Sequence, residues 1–171
     1  MTTENDSIDV RDFEERKLPS GLNVITILSI IGCVLQLGGA IYQFATAKTT
    51  YDNRDAAYAK MTSPDMPSAA RKMVGDPEVF MNTLVKNYEN KIPIMLLALV
   101  SVALCFYGIM QMRKLKKQGY LFYIIGEMLP FLSLLLFVGA FAMHGIGFMI
   151  AVAFTILFVI LYTVNRKYLL D

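Results

Sequence analysis

Residues 119–143 read GYLFYIIGEMLPFLSLLLFVGAFAM, twenty-five positions that contain a single charged side chain, Glu127. As a helix rising 1.5 Å per residue this run is about 37 Å long, more than the roughly 30 Å of a bilayer's hydrocarbon layer. Three further runs have the same character and hold no charge at all: residues 22–43, 92–112 and 146–164. A span needs about 20 mostly apolar residues, so the sequence predicts an all-α integral membrane protein, a four-helix transmembrane bundle. Residues 1–20 form an acidic tail, 21–171 the four-span membrane domain, and 44–91 a loop between spans 1 and 2.

Composition agrees. The chain is 56% hydrophobic and 18% charged, with mean hydropathy +0.49, whereas soluble domains carry about 25% charged residues. A net charge of +2 is too small to suggest a nucleic-acid partner, and the expected partner is the lipid bilayer itself. The first run is read as a retained span. Although Ala45-Thr46-Ala47 imitates a cleavage site, six acids (Glu4, Asp6, Asp9, Asp12, Glu14, Glu15) precede the run, and signal peptides begin with a basic region and have shorter apolar cores.

Orientation follows from lysine and arginine near span ends. Arg113, Lys114, Lys116 and Lys117 crowd the link between the second and third spans, and Arg166 and Lys167 follow the fourth. Placing both clusters in the cytosol gives an N-in/C-in topology and makes Arg113, Lys114, Lys116 and Lys117 an inner-leaflet anchor. Residues 44–91 then face outward. They begin polar and irregular, pass turn signals at Ser63-Pro64-Asp65 and Met66-Pro67, and end in an amphipathic helix. Asp76 caps that helix, Pro77 and Glu78 open it, and Val79, Phe80, Leu84 and Val85 share one side. The helix either caps the bundle or offers Phe80, Met81 and Leu84 to a partner or to lipid headgroups. The methionines Met61, Met66, Met73 and Met81 are too widely spaced for a copper site.

Within a bilayer, helices associate through small residues and side-chain hydrogen bonds. Ser29, Cys33, Gln36, Ala40 and Gln43 make such a stripe on the first span, and Ala98, Ser101, Cys105 and Gly108 make one on the second. Gly126 and Gly139 serve the third span; Gly147, Ala151 and Thr155 serve the fourth. Helix packing explains all of them, with a ligand channel as the alternative. The two cysteines have neither a Cys-x-x-Cys partner nor a histidine at metal spacing, and they read as packing residues.

Glu127 concentrates the functional question, because a carboxylate in hydrocarbon marks a site by default. Counting from Gly119 puts it about 12 Å deep, and counting back from the turn Met143-His144-Gly145 puts it about 4 to 5 Å deep. Three roles stay open: a structural carboxylate paired with the Arg113–Lys117 cluster or bonded to Tyr123, Tyr107 or Ser29; a proton or cation relay; or a contact to a partner subunit or lipid headgroup. Pro130 would free a backbone carbonyl near Gly126 and bend the span. His144, in a tight outer turn, lacks catalytic partners. No Ser-His-Asp set, phosphate loop or His-Glu-x-x-His helix is present, so no enzyme activity, cofactor or metal site is expected.

The stretch Leu115-Lys116-Lys117-Gln118-Gly119-Tyr120, followed by Tyr123 and by Gly126-Glu127-Met128-Leu129-Pro130, resembles a pattern in small bacterial membrane proteins with four spans, a family without an assigned activity. The resemblance covers about 16 residues and implies four helices in a bacterial cytoplasmic (inner) membrane. On physical grounds Lys116 and Lys117 would anchor the leaflet, with Tyr120 and Tyr123 at the headgroup belt. The function expected is a non-enzymatic scaffold or accessory subunit of a larger complex, joined by a membrane-protein partner or by further copies of itself. The alternative is a small proton- or cation-coupled carrier using Glu127.

Overall fold

A computed structural model describes residues 18–65, 67, 76–144 and 146–169. Residues 1–17 of the acidic tail, the Met66 and Met73 positions and Gly145 lie outside the described residues. The elements are helical throughout: α1 (Ser20–Asp52), α2 (Arg54–Thr62), α3 (Pro77–Glu89), α4 (Lys91–Arg113), α5 (Gln118–Ser133) running on into a π-helical turn (Leu134–Val138), a 3-10 turn (Ala140–His144), α6 (Ile146–Asn165) and a final 3-10 turn (Arg166–Tyr168). Four helical segments are long and apolar enough to cross a membrane: Ser20–Asp52, Lys91–Arg113, Gln118–Val138 and Ile146–Tyr168.

Two expectations are corrected. Residues 44–52 are not irregular; they continue α1 to a length of 33 residues, about 50 Å of helix. A single non-helical residue, Asn53, then leads into α2, which ends where Ser63, extended before Pro64, leaves the helical region. The third span also stops short of residue 143. The amide of Gly139 donates to the Leu134 carbonyl, closing the π turn, and Gly139 itself takes φ +116°, a conformation that favours glycine and ends the helix.

The start of α3 follows its capping residues. Asp76 accepts a hydrogen bond from the Glu78 amide at 2.9 Å, with Pro77 in the first turn, so a side-chain oxygen satisfies one of the amides that a helix start leaves open. α3 lies against α1, α2 and the far end of α5, and Phe80, Met81 and Leu84 are half-buried there. A sandwich of aromatic and cationic groups ties this end together. Tyr51 stacks on Tyr88 with centroids 4.4 Å apart, Arg54 covers the outer face of the pair at 4.2 Å, and Lys91 lies 4.7 Å from the Tyr88 ring. Asn90, between α3 and α4, donates to the carbonyls of Lys86 and Phe137 and so fixes the α3–α4 corner to the π turn.

The closest pairing is α4 with α5, and glycine makes it. A methyl group on Gly108 would stand 2.6 Å from the Gly119 carbonyl oxygen and the Tyr123 amide, and one on Gly126 would stand 2.5 Å from the Cys105 sulfur. The two backbones therefore touch at Gly108, Gly119 and Gly126, the close approach that small residues permit. Gly147 was expected to act likewise on the fourth span, but nothing lies within 4 Å of where its Cβ would be.

The buried core gathers at the end of the bundle that carries Arg113–Lys117. Leu22, Ile25, Ile109, Met112, Tyr123, Tyr162 and Leu169 are all enclosed there. Arg113 turns inward to donate to Asn23 Oδ1 (3.3 Å) and Thr26 Oγ1 (3.1 Å), while Lys114 and Lys116 are exposed. Tyr123, expected at the headgroup belt, is instead 2% exposed and packs its ring 4.6 Å from that of Tyr162. Rotation about α5 explains the difference: Tyr123 shares the face of Gly119 and Gly126, which is pressed against α4.

Candidate functional site

Pro130 builds the site. Lacking an amide hydrogen, it leaves the carbonyl four residues earlier, that of Gly126, without its helical donor. The Ser101 hydroxyl of α4 supplies the missing bond at 2.8 Å, and Gln36 of α1 donates in turn to Ser101 at 3.0 Å. The sequence pointed to a carbonyl freed near Gly126, and the neighbouring helices answer it. This chain of bonds brings Gln36 to the centre of the bundle, next to Glu127.

Glu127 is the tenth residue of the 21 from Gln118 to Val138, about 14 Å from one end and about 16 Å from the other at 1.5 Å per residue. The count back from the 143–145 turn starts outside this helix, because Ala140–His144 forms a separate 3-10 turn. The carboxylate is half-buried; it accepts from Thr155 Oγ1 of α6 at 3.4 Å, and the Tyr123 phenol of its own helix stands as a second hydroxyl donor beside it. The Thr155 bond is long for a hydroxyl donor, and an ionised carboxylate has about four acceptor sites. Of the two ion pairs among the described residues, Arg54–Asp55 and Lys86–Glu89, Glu127 is in neither.

The expected partners of Glu127 divide into two groups. Ser29 and Tyr123 do come to it: both line a cavity of about 360 Å³ that Glu127 also lines, and the Tyr123 phenol lies beside both Ser29 and Glu127. Ser29 also accepts from Tyr162 at 2.9 Å. Tyr107 and the basic cluster do not. Tyr107 is exposed, accepts from Gln111 at 2.8 Å and packs edge-on to Phe122, on the far side of α4. Arg113 is committed to Asn23 and Thr26.

Three hollows meet at this point. The largest, about 520 Å³, lies between Glu127 and the α3 end. Val79, Phe80 and Thr83 of α3 form one wall, facing Pro130, Phe131 and Leu134 of α5 and Phe148, Ala151 and Thr155 of α6. The 360 Å³ hollow continues from Glu127 toward the packed end, past Cys33, Phe154 and Phe158. A third, of about 300 Å³, opens beside Gln43, Asn87 and Ser133, where the buried Ser133 hydroxyl has no hydrogen-bond partner. Gln36, Glu127 and Thr155 stand at the waist between the first two. Among the described residues, no group of three or more His, Cys, Asp or Glu side chains is placed to hold a metal ion.

No family model, curated protein or solved structure matches this chain. The reading of the site therefore rests on its own chemistry. Sequence reasoning found Glu127, Ser29 and Tyr123 as site residues. Gln36, Ala151 and Thr155 it found only as helix-packing residues, whereas they line the space around the carboxylate. Phe131, Phe148 and Phe154 carried no distinguishing signal, since aromatic residues in an apolar run face lipid as often as they face a cavity.

Proposed function

We propose that this protein is a non-enzymatic integral membrane carrier in which Glu127, at mid-bilayer depth, takes up a proton or a cation from either side. The observation that carries the reading is the half-buried carboxylate, met by the hydroxyls of Thr155 and Tyr123 and in neither ion pair among the described residues, at the waist of a cavity of about 520 Å³. A carboxylate that only stabilised the fold would be expected to sit against a basic group, since burying it unpaired costs several kcal/mol. The titratable side chains around it are Cys33 on α1, Cys105 on α4, Tyr123 on α5 and Tyr162 on α6. All are thiols or phenols, so Glu127 is the carboxylate on which coupling would turn. The positive-inside rule puts Arg113–Lys117 in the cytosol, and the resemblance of residues 115–130 to bacterial four-span proteins suggests the cytoplasmic membrane.

Proteoliposomes with an imposed pH gradient test the proposal. The wild-type chain is expected to dissipate the gradient in a protein-dependent manner, and Glu127→Gln to lose at least nine-tenths of that flux. Equal flux through the two proteins would end the carrier reading.

A second reading, as a scaffold or accessory subunit of a larger membrane complex, draws support from α6. Its apolar window is 11% buried, against 22–28% for the other three spans, which leaves Ile146, Met149, Ile150, Ile156, Ile160 and Val164 uncovered. Purification in mild detergent followed by mass spectrometry separates the two readings. A stoichiometric partner that remains bound to Glu127→Gln favours the scaffold.

A further inference from the structure

The walls around Glu127 narrow what it would carry. Calcium takes about six to eight oxygen ligands and magnesium an octahedral set, whereas beside the carboxylate stand the Gln36 amide, the Thr155 hydroxyl and, on the side of the smaller hollow, the hydroxyls of Ser29 and Tyr123, which are already bonded to Tyr162 and to Glu127. A sugar or other neutral polar solute would want more hydrogen-bonding partners than these apolar walls supply. Aromatic rings dominate instead. Phe131 and Phe148 meet edge to face, 5.8 Å apart, in the larger hollow, and Phe154 lines the other side of the waist. Ring faces attract cations, most strongly away from water, and an ion whose charge is shielded by apolar substituents loses little hydration on entering such a site. A volume of about 520 Å³ is in the range of pockets for drug-sized molecules.

We propose that the waist of this cavity binds one organic monocation bearing aromatic or branched apolar groups, its charge on the Glu127 carboxylate and its apolar part among Phe131, Phe148 and Phe154. This identifies the cargo class and rests on Glu127 being the carrier's site. The occupant is a free molecule and not the head of an aminolipid, because Glu127 lies about 14 to 16 Å from either end of its helix, too deep for a headgroup that stays at the membrane surface.

The experiment measures tetraphenylphosphonium binding to the full chain in phosphatidylglycerol nanodiscs by equilibrium dialysis. Saturable one-to-one binding is expected, weakened at least tenfold in Glu127→Gln and about threefold in Phe148→Leu, with both variants monodisperse and fully helical. Neutral triphenylphosphine oxide should compete at least tenfold less well than the cation. Binding that is equal in Glu127→Gln, or equal competition by the neutral compound, would reduce the site to a greasy pocket and overturn the proposal. Loss of binding when half of the phosphatidylglycerol is replaced by phosphatidylethanolamine, but not when it is replaced by phosphatidylcholine, would assign the site to lipid amines and overturn it as well. Should Glu127-dependent proton flux persist without cation binding, the cargo class fails and the carrier stands; should cation binding persist without flux, the site stands and carriage fails.

Discussion

The two ends of this bundle are built from similar apolar residues and yet behave differently. At the Arg113–Lys117 end, α4 and α5 meet backbone to backbone over Gly108, Gly119 and Gly126, and Tyr123, Tyr162, Met112 and Leu22 fill the space that remains. At the α3 end no glycine seam draws α6 inward, and three hollows stay open between α1, α3, α5 and α6. The contrast teaches that hydrophobicity does not by itself close a helical bundle in an apolar medium. Close packing needs small residues in register on both partners; bulky phenylalanines without a matching groove keep helices apart, and Glu127 sits at the boundary between the two regimes.

The seam is the place to break the comparison most severely. Gly126→Ala puts a methyl group 2.5 Å from the Cys105 sulfur and 2.8 Å from the Cys105 amide, and overpacking of this kind costs about 1–3 kcal/mol. Gly147→Ala, whose added carbon meets nothing within 4 Å, is the control at the open end. Thermal unfolding in detergent should show a large drop in midpoint for the first and almost none for the second. Equal shifts would mean that the ends do not differ in packing.

Much of this was legible in the sequence, and the gaps have physical causes. The apolar runs gave the number of spans, and Asp76-Pro77-Glu78 gave the start of α3, because caps and breakers act locally. The length of α1 was misread because hydropathy marks where a helix meets lipid, not where it ends. No glycine or proline occurs from Ile41 to Ser63, and that absence was the available signal. The stop at Gly139 could be seen only as a packing glycine, since whether a glycine adopts positive φ depends on the neighbours that force it. Of the site, Glu127 stood out by charge, and Ser29 by its place on a polar stripe. Tyr107 was wrongly included because each helix's rotation is set by contacts that spacing alone does not reveal, and the same rotation brought Gln36 and Thr155 in.

A smaller effect tests the junction between the regimes. Ser101→Ala removes the donor that compensates Pro130, leaving the Gly126 carbonyl without it and Gln36 without its acceptor. An unsatisfied buried polar group costs about 1–3 kcal/mol, somewhat less here because membrane-protein hydrogen bonds are often worth about 0.6 kcal/mol. Ser101→Thr, which keeps the hydroxyl, should recover part of the loss if the extra methyl group fits. The same unfolding assay reads both, and an Ala variant as stable as the wild type would show that the bend at Pro130 needs no external donor.

The smallest effect on stability should be the most informative about function. Ala151 lines the large hollow and is itself exposed, so Ala151→Leu extends a side chain into space that no protein atom occupies. With nothing to displace, its effect on the unfolding midpoint should fall within the roughly 0.5 kcal/mol typical of substitutions away from packed sites. A cavity that is merely a packing defect would gain stability from being filled, since added apolar contacts replace empty space. A cavity that serves a ligand would lose the room beside Glu127, and Glu127-dependent flux should fall severalfold in an otherwise unchanged protein. Flux that falls while stability stays unchanged would identify the open end as the working half of the molecule; a stabilised variant with undiminished flux would show that the hollow contributes nothing to it.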